Sequence, residues 1–127
     1  MTTVTDAAQA ARAKALAWIN QGTKRLLIGG RWVDAASGKT FETINPATEQ
    51  LLCHVAEADH ADVDAAVTAA REAFEAPSWS ALSPHARTRA LLKIADKIEQ
   101  NIDELAAIES LDNGMPLWFA QAAVTAT

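Results

Sequence analysis

The sequence has a single cysteine, Cys53, and basic residues are in the minority. Eleven Lys and Arg stand against 16 Asp and Glu, for a net charge of -5. One thiol rules out an intrachain disulfide and makes a reducing compartment, the cytoplasm, the default expectation. The acidic balance argues against nucleic acid or an anionic membrane as partner, because both reward clustered Lys and Arg. No apolar run approaches the ~18 residues that a membrane-spanning helix needs. Neither a G-x-G-x-x-G nor a Walker phosphate loop is present, and Gly29-Gly30 is not followed by a helical pattern. His54, His60 and His85 are scattered, and beside one cysteine they make no zinc pattern.

What remains is the composition of an ordinary globular protein, half hydrophobic and 21% charged. At 127 residues it is one domain's worth of chain, or part of a larger domain. The opening segment TDAAQAARAKALAWINQG is alanine-rich and weakly resembles a transit peptide. It lacks the serines and multiple arginines such leaders use, so an exposed or docked helix is the simpler reading.

Alanine favours a helix over about 7–20, and Gly22 supplies a left-handed stop. The pattern then changes to strands. RLLIGGRWVDA holds two short apolar runs around Gly29-Gly30, which reads as a two-residue hairpin with positive φ at both glycines. Ser37-Gly38 makes the next turn, KTFETI reads as a strand stopped by Asn45-Pro46, and EQLLCHVAEAD as a further strand.

From Asp59, a suitable N-cap, the period becomes helical, with Val63, Val67, Ala70 and Phe74 on one stripe that predicts a buried face. The acids Glu57, Asp59, Asp62, Asp64, Glu72 and Glu75 around Arg71 read as the solvated side. EAPSWSALSP reads as a loop. Ser83-Pro84 opens a second helix with the stripe Leu91, Ile94 and Ile98. Asn101 and Glu104 have capping-box spacing for a third, whose apolar face is Leu105, Ile108 and Leu111. Gly114 ends it, and Pro116 begins a fourth with Leu117, Ala120 and Val124 aligned. The order is one helix, a run of short strands, then four helices.

Cys53 and His54 suggest a thiolate–imidazole dyad, but on a strand adjacent side chains point to opposite faces. Cys53 shares its face with Leu51 and Val55 and reads as a small structural hydrophobe. Among 16 acids no carboxylate pair is singled out by an apolar setting. These residues describe a fold and no activity.

From about Leu26 onward, some four-fifths of the chain, the sequence resembles the N-terminal part of the NAD(P)-dependent aldehyde dehydrogenase superfamily. The resemblance is carried by LLIGGRWVDAASGKTFETINPATEQLLCHVAEADHADVDAAVTAAREAF and by WSALSPHARTRALLKIADKIEQNIDELAAIESLDNGMP, including the loop tryptophan Trp79. It implies an α/β fold in which short hairpin strands and amphipathic helices flank a Rossmann-like cofactor domain. Residues 1–22 would be a helical extension, and residues 23–127 the first, incomplete part of the cofactor-binding domain.

The resemblance also implies oxidation of an aldehyde to a carboxylic acid, with NAD or NADP as hydride acceptor, by an enzyme that is a homodimer or homotetramer. The nucleophilic cysteine, the water-activating glutamate and the cofactor loop are expected beyond Thr127. Cys53 does not match the nucleophile, and no catalytic or cofactor-binding residue is assigned within this chain. An N-terminal fragment, inactive alone, is the expectation.

Two groups of residues do carry over. A structural monovalent cation is implied at the main-chain carbonyls of Thr43 and Ile44 and the side chain of Asp112. Such a cation would account for a carboxylate at the negative end of a helix dipole; solvation or a local hydrogen bond of Asp112 is the other reading. Ala123 and Thr127, on the fourth helix, are implied as the positions nearest the aldehyde entry tunnel, with plain helix packing as the alternative. A rival for the whole is a short non-catalytic interaction or assembly module derived from the family. An unrelated small α+β domain is a distant third.

Overall fold

The computed structural model describes residues 4–126. Helix α1 (Val4–Ile19) precedes four strands, β1 (Leu26–Ile28), β2 (Arg31–Val33), β3 (Thr40–Asn45) and β4 (Gln50–Ala56). Helices α2 (His60–Glu75), α3 (Pro77–Ser80), α4 (Pro84–Gln100), α5 (Ile102–Asn113) and α6 (Leu117–Ala126) follow. Among the described residues no helix is long and apolar enough to cross a membrane. The chain divides into two compact units, residues 1–22, 42–53 and 94–127, and residues 23–41 and 54–93.

In the first unit α1, α5 and α6 pack together. Ala11 and Ala15 of α1 meet Ala107 of α5, with Ile108, Leu111 and Leu117 packed around them. Small residues on facing stripes let the helix backbones approach closely, so the contact is made by methyl groups. The aligned residues of α6 behave as their spacing predicts: Ala120 is buried, and Leu117 and Val124 are half-buried.

In the second unit β1 and β2 form an antiparallel hairpin in the register Leu26↔Val33, Leu27↔Trp32 and Ile28↔Arg31. Gly29 and Gly30 have φ of 56° and 75°, the positive values this turn requires. A β-carbon on Gly29 would lie 3.8 Å from Cβ of Ala69, which places the hairpin tip against α2. Lys24 adds a parallel bridge to Val55, with its N–H donating to the His54 carbonyl and its carbonyl accepting from Ala56 N–H.

Four expectations are corrected. The loop after α2 holds a short helix, α3, begun by Pro77 at its first turn. Asn101 does not cap α5 through its side chain; its amide Nδ2 donates to the Lys97 carbonyl at 2.7 Å and closes α4 instead. Asp62 is buried, not part of the solvated face. Its Oδ1 accepts from Ala36 N–H at 2.9 Å and its Oδ2 from Asp59 N–H at 3.0 Å. Asp59 in turn accepts from Ala61 and Asp62 N–H, completing an acidic capping box at the dipole's positive end.

The fourth correction concerns burial. Val63, Val67 and Phe74 of α2 and Leu91, Leu92 and Ile94 of α4 are each more than half exposed. Among the described residues the buried hydrophobics are alanines and Ile19, and no large side chain is fully buried. The stripes are helical as predicted, but among the described residues they stay largely exposed.

Candidate functional site

The end of α5 is built by side chains that occupy its free backbone groups. Gly114, at φ 79°, is the left-handed C-cap, and its N–H donates to the Ser110 carbonyl at 3.1 Å. Ser110 Oγ donates to the Met115 carbonyl at 2.8 Å, and Met115 N–H donates to Asn113 Oδ1 at 2.8 Å. Asn113 Nδ2 donates to Glu109 Oε1 at 2.6 Å. No basic residue occupies the last turn of this helix. Asp112 is exposed and has no hydrogen bond or ion pair among the described residues. Helix dipole, Glu109 and Asp112 therefore add negative charge at one end.

The turn between β3 and β4 is equally defined. Asn45 is buried; its Oδ1 accepts from Ala47 N–H at 2.9 Å, and its carbonyl accepts from Thr48 and Glu49 N–H. Glu49 closes the turn at φ 58°, the one positive-φ residue other than glycine among those described. This turn lies against the end of α5: a β-carbon on Gly114 would fall 2.9 Å from Cγ of Pro46. Strand end and helix end thus share a corner, with Ile44 two residues before Pro46 and Asp112 two before Gly114. Thr43 is half-buried, its hydroxyl 3.6 Å from Cys53 Sγ, and Ile44 is exposed.

Ala123 lies on an exposed part of α6. Thr127 lies outside the described residues. On the same helix Trp118 and Phe119 make an edge-to-face pair with centroids 5.6 Å apart, and both are at least half exposed. Gln121 Nε2 donates to Asp103 Oδ1 at 3.0 Å, tying α6 to the start of α5.

The glycines do not suit a dinucleotide. Gly29 and Gly30 join two strands, and Gly114 joins two helices. None stands between a strand and the N-terminus of a long helix, where a pyrophosphate would be held. Among the described residues no cluster of three or more His, Cys, Asp or Glu side chains is placed to hold a metal ion. Cys53 is half-buried beside Thr43, while His54, next in sequence, is exposed, so the two make no dyad. Sequence reasoning missed the Asp62 clip; the D-x-x-D spacing from Asp59 was its only signal.

Known proteins match this arrangement closely. The profile of the aldehyde dehydrogenase family matches residues 32–127. Aldehyde dehydrogenase 1 of Tanacetum cinerariifolium is 53% identical over 108 residues, covering 85% of this chain and 21% of that protein. The putative aldehyde dehydrogenase DhaS of Bacillus subtilis is 52% identical over 97 residues, 76% of this chain and 20% of its own. Among solved structures, HpcC from Thermus thermophilus superposes with a TM-score of 0.85 at 35% identity, over 92% of this chain and 22% of that one. The NAD+ complex of the Bacillus cereus aldehyde dehydrogenase gives 0.81 at 46%, over 86% and 22%. The chain spans about a fifth of the length of the curated relatives it matches. Its hairpin, its Asn45-Pro46 turn and its helix series are those of a known fold, and the chain belongs to the aldehyde dehydrogenase family, matching its N-terminal segment.

Proposed function

We propose that this segment serves an NAD(P)+-dependent oxidation of an aldehyde to a carboxylic acid, and that its own part is architectural. The observation that carries the reading is the uncovered apolar surface. Val63, Val67 and Phe74 on α2 and Leu91, Leu92 and Ile94 on α4 keep helical spacing yet are each more than half exposed. Such faces suit docking on a Rossmann-like core that the relatives' remaining four-fifths would supply. On this reading residues 23–127 belong to the cofactor-binding domain and residues 1–22 are a helical extension. NAD is the favoured acceptor, because a relative was solved with it; NADP is the other. The acceptor would take the hydride, and this segment would neither hold it nor supply the nucleophile.

Two local roles follow. The carbonyls of Thr43 and Ile44 and the carboxylate of Asp112 would hold a monovalent cation. Oxygen donors suit a hard cation, and one carboxylate matches a single charge. Support comes from the shared corner of Pro46 and Gly114 and from the exposed carboxylate beside it. The ion would pin the strand end to the helix end. Ala123 and Thr127 would line the aldehyde's approach, where small side chains leave room. The working protein would be a cytoplasmic homodimer or homotetramer.

The second reading is a non-catalytic assembly module that offers the same faces to a separate partner. Unfolding and dye binding of the isolated chain separate the two. Strong binding of an apolar dye with no cooperative transition supports the architectural role. A monomer that unfolds cooperatively without binding dye favours the module.

A further inference from the structure

We draw no further inference here: the strongest candidate, the apolar groove of about 430 Å³ between α1, the β3–β4 turn and the C-terminal end of α5, carries nothing because nothing in the structure shows what covers it.

Discussion

Gly114 stands against Pro46 so closely that a β-carbon on the glycine would lie 2.9 Å from the proline's Cγ. Two requirements meet at that glycine. Its φ of 79° is costly for any other residue, and the proline ring occupies the space a side chain would need. Gly30 has the first requirement without the second, since its φ is 75° and nothing lies within 4 Å of its would-be β-carbon.

Gly114→Ala is therefore expected to destabilise the folded protein by about 2–4 kcal/mol, the left-handed backbone contributing ~1–2 and the overlap the rest. Gly30→Ala should lose only the backbone part. Urea unfolding of both variants in a family enzyme carrying this segment measures the difference. Equal losses would show that the contact with Pro46 does not constrain the corner.

Asp62 is a structural carboxylate. Asp62→Ala removes the acceptor of two part-buried hydrogen bonds, from Ala36 and Asp59 N–H, at about 0.5–1.5 kcal/mol each. Asp64→Ala, on the exposed side of the same turn, should stay within ~0.5 kcal/mol of the parent. Equal unfolding midpoints for the two would contradict the clip.

Glu49 carries backbone strain at φ 58°. Glu49→Gly relieves the left-handed cost of ~1–2 kcal/mol and adds about 0.4–1 of unfolded-state entropy. A net gain of up to ~1 kcal/mol is expected, with β-branched Glu49→Val destabilising instead. A glycine variant less stable than the parent would assign Glu49 a side-chain role that the turn does not display.

These turns were legible from sequence because each rests on local chemistry: positive φ at Gly29-Gly30, the Asn45-Pro46 stop after β3, the serine before Pro84. Ser83 Oγ accepts from Ala86 N–H at 3.2 Å, as its position predicts. Burial was not legible. Periodicity identifies which side of α2 is apolar, yet whether anything covers Val67 or Phe74 is decided by chain outside the helix. Asp62 escapes a sequence reading for a related reason. A carboxylate within an acidic run looks solvated until its two backbone donors, one of them 26 residues away, are seen. Asn101 had a choice of partners, and the end of α4 won over the start of α5. The proposed grouping of Thr43, Ile44 and Asp112 rests on family resemblance alone; no spacing in the sequence joins residues so far apart.

The proposed cation at that corner gives a salt-specific prediction. In a family enzyme carrying this segment, replacing potassium or sodium by a bulky organic cation at constant ionic strength should lower the thermal midpoint. Asp112→Ala should remove that dependence while leaving the general response to ionic strength. A parent protein indifferent to the ion would remove the cation from the account.

The proposed place of Ala123 on the aldehyde's approach predicts that a large side chain there obstructs the aldehyde and leaves the cofactor untouched. Ala123→Phe is expected to raise KM for a bulky aldehyde at least about tenfold, since a blocked apolar subsite is worth ~1–3 kcal/mol. KM for NAD+ should not change. Unaltered aldehyde kinetics would place Ala123 in ordinary helix packing.

The central claim is that this segment is an interchangeable structural part of an aldehyde-oxidising enzyme. Its most direct test is a chimera of DhaS from Bacillus subtilis in which the matching 97 residues are replaced by those of this chain, 52% identical. Aldehyde-dependent formation of NADH at a rate within about tenfold of the parent, a difference of ~1.4 kcal/mol in barrier, is the predicted result. A folded chimera of native size that fails to oxidise aldehyde would contradict it.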